Sequence, residues 1–159
     1  MERNHIFNMK IGDKIPAVLG KDQNGKEIKA SDFTGKKLVL YTYPKDNTSG
    51  CTAEACSLRD NKDALAEKGY VILGVSKDSA ASHQRFIEKQ GLNFDLIADT
   101  ETTLLQELGA WGEKKMCGKT TIGTLRTTYL VNENGVITKI FTPKQIKTAE
   151  HAQQILEVI

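Results

Sequence analysis

Cys51 and Cys56 stand five residues apart in a segment that runs Tyr43-Pro44-Lys45-Asp46-Asn47-Thr48-Ser49-Gly50-Cys51-Thr52-Ala53-Glu54-Ala55-Cys56. Ahead of them lies an apolar, β-prone run, and after them a helical pattern. The spacing therefore sets Cys51 at a helix start, facing unpaired N–H groups and the positive end of the helix dipole. Both favour the thiolate, which is the reactive form of cysteine. Thr48 sets a hydroxyl three residues before the thiol, where it can hydrogen-bond the sulfur or an oxygen attacking it. Glu54 falls in the first turn, where a carboxylate suits the dipole. The plainer reading makes both cysteines small core residues, since free cysteine is often buried.

The spacing also constrains what the two thiols can do together. Five residues of ideal α-helix give a rise of about 7.5 Å and a rotation of about 140° at a radius of ~2.3 Å. The Cα atoms then lie roughly 8.6 Å apart, beyond the reach of about 7 Å for a disulfide. Either the two never bond, or the first turns of the helix unwind when they do. Asn47, Ser49 and Gly50 are turn formers and Thr52 is a weak helix former, which suits unwinding.

The elements that must position this segment follow from patterning. The Asn24-Gly25 turn signal predicts an early hairpin. Lys37 to Tyr43 reads as a central strand, Cys51 to about Lys68 as a helix, and Tyr70 to Ser76 as a second buried strand. Asp78 or Ser79 caps a helix to about Gln90, closed by Gly91. A short strand over Phe94 to Ala98 and a helix over Thr100 to Leu108 come next. Thr124 to Val131 and Val136 to Phe141 form a hairpin around Asn134-Gly135. An amphipathic helix spans Thr148 to Ile159, with Ala152, Ile155, Leu156 and Ile159 on one face. The βαβ unit at 37–76 demands a right-handed crossover between parallel strands. The class is α/β: a thioredoxin-like mixed sheet with helices on both faces and an N-terminal β-hairpin. Residues 1–8 read as a flexible extension and 9–159 as a single domain.

The bulk numbers narrow the function. The 159 residues include 22 basic and 20 acidic ones, a net charge of +2, which gives no support for nucleic-acid or anionic-membrane binding. No apolar stretch approaches the ~20 residues that cross a bilayer, and the first residues do not read as a secretory signal. Three cysteines are too few and too odd a number for a disulfide scaffold, so a cytoplasmic setting is expected. His5, His83 and His151 lack zinc-ligand spacing to any Cys or His, so no metal is expected. Trp111 reads as half-buried packing near the site rim.

The segment Tyr43 to Cys56 resembles the active-site signature of the peroxiredoxins, in particular the peroxiredoxin Q branch, also called bacterioferritin comigratory proteins. Ile11-Gly12-Asp13-Lys14-Ile15-Pro16, Ser31-Asp32-Phe33-Thr34-Gly35-Lys36, Ser76-Lys77-Asp78-Ser79, Ser82-His83, Trp111 to Met116 and Arg126-Thr127-Thr128-Tyr129-Leu130 are similar to the family as well. Together they cover nearly everything after residue 9. The resemblance implies a thiol peroxidase without metal or organic cofactor, reducing hydrogen peroxide and organic hydroperoxides. It implies Cys51 as the peroxidatic cysteine, Thr48 and Arg126 as activating residues, and Pro44 as the proline that shapes the loop. Glu54 would orient an arginine. Cys56 would resolve the Cys51 sulfenic acid as an intramolecular disulfide, reduced in turn by thioredoxin or a similar dithiol. A fixed cation such as Arg126 suits a thiolate and the charge that builds on a leaving oxygen; otherwise it is a surface cross-strand residue. A monomer is expected.

The chain departs from the family at two places. Ser49 stands where proline is usual, which loosens the loop and removes no catalytic group. Cys117 stands where tyrosine is common, either as a small apolar replacement or as a further resolving or regulatory thiol. A protein disulfide reductase on the same fold would need the absent C-x-x-C. A redox sensor that passes its unwinding to a partner is the non-enzymatic reading.

Overall fold

The computed structural model describes residues 9–116 and 118–159; the extension expected at 1–8 and the thiol of Cys117 lie outside them. The N-terminal hairpin is β1 (Val18–Lys21) and β2 (Glu27–Lys29), antiparallel and separate from the main sheet. Next come β3 (Lys37–Thr42), α1 (Ser49–Asp60), α2 (Lys62–Glu67), β4 (Tyr70–Ser76), α3 (Ala80–Gln90), β5 (Asp95–Ala98) and α4 (Thr103–Leu108). The chain closes with β6 (Trp111–Met116), β7 (Lys119–Thr124), β8 (Thr127–Val131), β9 (Ile137–Phe141) and α5 (His151–Leu156).

The five-stranded sheet has the order β5-β4-β3-β8-β9. β3 pairs parallel with β4, as does β4 with β5, while β8 runs antiparallel to β3 and β9. The strands alternate their side chains between two cores. Val39 and Tyr41 join Ala55, Leu58, Leu65, Phe86 and Ile155 under α1, α2, α3 and α5. Leu38 and Leu40 join Leu104, Leu105 and Leu108 of α4, with Leu19 and Ile28 of the hairpin, on the other face. This is the thioredoxin-like layout that the pattern predicts, with β3 at its centre.

Four local expectations change. The helix begins at Ser49 rather than Cys51 and breaks at Asn61, whose side-chain amide donates to the Ser57 carbonyl at 2.8 Å. α4 starts late, because Thr102 takes a left-handed φ of 60° and the Asp99 carboxylate accepts from Leu104 and Leu105 N–H instead. The final helix is split into a 3-10 turn at Thr148–Glu150 and α5, although Ala152, Ile155, Leu156 and Ile159 do face the core. The strand expected over 124–131 is broken at Leu125 and Arg126, and Thr124 instead ends β7, in a two-stranded hairpin with β6. That hairpin escapes the pattern because Lys119, Thr120, Thr121 and Ile122 are all exposed, leaving no buried face to set an alternation.

Candidate active site

The break between β7 and β8 is built by Thr42 at the end of β3. Its hydroxyl donates to the Leu125 carbonyl at 2.8 Å and accepts from Thr127 N–H at 3.1 Å. Arg126, between those two residues, is thereby turned out of the strand and toward α1. Its Nη2 donates to Cys51 Sγ at 3.3 Å, and its Nη1 donates to Glu54 Oε1 at 2.6 Å. The alternative of an exposed cross-strand residue is excluded: the Arg126 side chain is only 18 % exposed.

Cys51 is the third residue of α1 and 1 % exposed. Thr48 is the N-cap, with φ −89° and ψ 156°, and its carbonyl accepts from Thr52 N–H at 2.8 Å. An N-cap threonine ordinarily turns its hydroxyl onto the first N–H groups of the helix. Thr48 does not, and neither does it bond the sulfur: its hydroxyl donates to the Lys45 carbonyl at 2.9 Å. With its proton so committed, the exposed oxygen keeps its lone pairs for an incoming donor. Pro44, half-buried, opens the loop, and Asn47 turns it with a left-handed φ of 63°. Gly50 lies against the guanidinium, and a Cβ there would be in ordinary contact with Arg126 Nη2 at 3.4 Å.

Glu54 is fully buried. Burial pushes its carboxyl up to about 7, against the pull of Arg126. For Arg126, burial opposes the charge, but Glu54 and then Cys51 outweigh it and raise the guanidinium above its ordinary value. The second Glu54 oxygen lies 3.9 Å from His151 Nε2 and has no hydrogen-bond partner among the described residues. His151 accepts at Nε2 from the Thr128 hydroxyl, at 2.7 Å, and donates from Nδ1 to Gln154 Oε1, at 2.9 Å. That bonding is of a neutral ring, and burial lowers its pKa accordingly.

Cys56 lies half-buried on the same helix, its thiol 3.7 Å from Gln90 Oε1. Neither Cys51 nor Cys56 is in a disulfide. Both lie inside the intact α1, so the separation that forbids a disulfide on a helix applies to them. Trp111 is half-buried as expected, but it packs against the core of the opposite sheet face, with the Lys77 ammonium 6.0 Å from its ring centre.

Two buried groups beside the site, Asp46 in the active-site loop and His83 in α3, lie in segments that carry the family resemblance, but the sequence assigned neither of them a role. Asp46 Oδ2 meets His83 Nδ1 at 2.8 Å. Asp46 lies inside the motif that marks Cys51, but its partner is 37 residues away, and no local spacing announces the contact. Asp46, Asp78 and His83 form a cluster of metal-ligand type, with their polar atoms engaged in hydrogen bonds to one another and to neighbouring groups.

The AhpC/TSA family profile matches residues 11–140. Peroxiredoxin Bcp of Bacillus subtilis is 40% identical over 153 residues, covering 96% of each chain. Peroxiredoxin Bcp of Escherichia coli is 39% identical over 148 residues, 93% of this chain and 94% of that one. Among solved structures, peroxiredoxin Q of Xylella fastidiosa superposes with a TM-score of 0.85 at 32% identity, covering 95% of both chains. The bacterioferritin comigratory protein of Xanthomonas campestris gives 0.83 at 32% identity, over 94% of this chain and 96% of the other. The chain belongs to the AhpC/TSA family, in its peroxiredoxin Q or bacterioferritin comigratory protein branch, and is a thiol peroxidase.

Proposed function

We propose that Cys51 is the peroxidatic cysteine and Cys56 the resolving one, in a cycle completed by thioredoxin or a similar dithiol. The observation that carries this reading is the guanidinium of Arg126, clamped by buried Glu54 and donating to Cys51 Sγ at 3.3 Å. A hydroperoxide hydrogen-bonds through its O–H to Thr48 Oγ1, which places its terminal oxygen near the sulfur. The thiolate attacks that oxygen, an S–O bond forms, and the O–O bond breaks. The departing oxygen leaves with the electron pair, stabilised by Arg126, and takes a proton from solvent to become water or an alcohol. Cys51 is left as a sulfenic acid.

Resolution requires α1 to unwind at its start, for the separation given above. Cys56 then attacks the sulfenic sulfur, water leaves, and a disulfide forms. Exchange with the external dithiol restores both thiols. The substrates are hydrogen peroxide and organic hydroperoxides; the Xanthomonas campestris relative is described by its alkyl peroxide reduction activity. Residues 9–159 act as one domain, as a monomer, in the cytoplasm.

A coupled assay with thioredoxin, thioredoxin reductase and peroxide tests the assignment. Cys51→Ser should abolish turnover. Cys56→Ser should reduce about one equivalent of peroxide and then stop. Peptide mapping of the peroxide-treated wild type should show a Cys51–Cys56 bond. Retained activity in Cys51→Ser overturns the reading of Cys51, and Cys51 oxidised without any disulfide overturns that of Cys56.

A further inference from the structure

Asp46 carries the only buried carboxylate of the peroxidatic loop, and three donors converge on it. Tyr43 Oη donates to Oδ1 at 2.6 Å, and Ser82 Oγ donates to Oδ2 at 2.7 Å. His83 Nδ1 reaches Oδ2 at 2.8 Å, while Nε2 of the same fully buried ring meets the Ile97 carbonyl at 2.9 Å. Both ring nitrogens face acceptors, the Asp46 carboxylate and the Ile97 carbonyl, so the ring is held from both sides. Burial alone would push the Asp46 carboxyl up, but His83, Tyr43 and Ser82 together hold it below its ordinary value. The backbone is fixed as well, because Asp46 N–H donates to Asp78 Oδ2 at 2.8 Å.

The position of this knot in the chain gives it a use. Lys45, just before Asp46, supplies the carbonyl that commits the Thr48 hydroxyl, and Asn47, just after it, takes the left-handed turn into the N-cap. A left-handed φ in a non-glycine residue persists only where its surroundings impose it. Cys51 and Arg126 are placed by other elements, the helix and the strand break. We propose that His83 and Asp46 form a positioning dyad that sets Thr48 against the sulfur for peroxide, without itself touching substrate. This rests on the reading of Thr48 given above.

A positioning role predicts a split between two reactions of the same thiol. Peroxide needs both the sulfur and Thr48, whereas iodoacetamide alkylates the sulfur alone. His83→Gln should slow the second-order reaction of reduced protein with hydrogen peroxide by about tenfold or more, the range expected for sub-ångström displacement of a positioning group, and leave alkylation within about twofold. Ser82→Ala, at a half-buried site, removes one donor and should show the same split in smaller measure. It decides the matter if His83→Gln does not fold. Equal losses in both reactions, or no loss in either, overturn the dyad. Thr48→Val belongs in the same series. If it spares the peroxide reaction, the reading of Thr48 has failed and the dyad falls with it. If Thr48→Val shows the split and the dyad variants do not, only the dyad is refuted.

Discussion

At the scale of single residues, the site sets an arginine between a thiol and a buried carboxyl. Arg126 faces Cys51 with one nitrogen and Glu54 with the other, and Glu54 is held at about 7 by its burial. The ordinary value for such a carboxyl is 4.5. Between these values the folded chain binds a proton that the unfolded chain has released, so stability is highest at the acid end and falls as pH rises through the window. Glu54→Gln, which cannot titrate, should lack that slope. Urea midpoints of wild type and variant, each at pH 5 and pH 8, provide the check, since contributions common to both cancel in the difference. An equal pH response in the two proteins would mean that Glu54 stays ionised throughout. Much of this site was readable from the chain: Cys51, Thr48, Glu54 and Cys56 sit within nine residues of one another, and Arg126 opens its own motif. The Thr48 hydrogen bond was not, because the choice between sulfur and the Lys45 carbonyl depends on the turn at Asn47. His83 and His151 lack metal-ligand spacing, His83 marks only a segment similar to the family, and the partners that hold each ring lie far away in sequence.

At the scale of elements, α1 carries opposed demands. In the proposed cycle it presents Cys51 in its first turn and gives up that turn when Cys56 attacks. Its surroundings mark out the mobile part. Asp46 is tied to α3 before it, and Ser57 Oγ accepts from the buried Ala152 N–H of α5 at 3.0 Å after it. Hydrogen exchange should therefore show the amides of Thr52 to Asp60 losing protection in the disulfide form, since each donates to a carbonyl four residues back in the unwound stretch, while the Ala152 amide, held by Ser57 Oγ, keeps its own. Loss of protection at Ala152 would show that the Ser57 tie breaks. Gly50 is the natural weak point. Alanine there gains up to about 1 kcal/mol of helix propensity, with its Cβ in ordinary contact with Arg126 Nη2. Gly50→Ala should raise stability and slow disulfide formation by roughly two- to fivefold, the rate equivalent of that gain. Stopped-flow mixing with peroxide separates this step from the first oxidation; a faster resolution step would refute the role of the first turn as barrier. The strand break at Leu125 and Arg126 is the element feature least legible in sequence. Thr124 to Val131 keeps a β-prone pattern throughout, and the bonds that hold the interruption include those to Thr42, some eighty residues earlier.

For the molecule as a whole, the two cores are unequal partners in the cycle. The core under α4 and the N-terminal hairpin contains neither cysteine, whereas the core under α1, α3 and α5 includes Cys51 and Ala55 as buried members. The class was legible because the central strands are apolar runs that follow one another with helical segments between, which leaves few topologies. The second hairpin, whose strand β7 is exposed over most of its length, left no such trace. The unwinding proposed for the start of α1 would open only the first core, and this would set the balance of stability between the redox states. Closing a loop of six residues by a disulfide stabilises by roughly 2 kcal/mol in the chain-entropy account. Against it stand the exposure of Cys51 and Ala55 and the parting of Arg126 from Glu54. Above about pH 7, where Glu54 is ionised, breaking a buried ion pair alone costs about 3–5 kcal/mol when one charge stays inside. The losses exceed the gain, so the disulfide form should be the less stable of the two, contrary to the usual effect of a crosslink. Thermal unfolding should show the reduced protein melting higher, with about 2–4 °C for each kcal/mol of difference at this chain length. Cys56→Ser, which cannot form the bond, should melt near the reduced wild type with or without prior peroxide. An oxidised wild type that melts higher would mean that Glu54 and Arg126 stay together while the disulfide forms, and that the unwinding stops short of the first core.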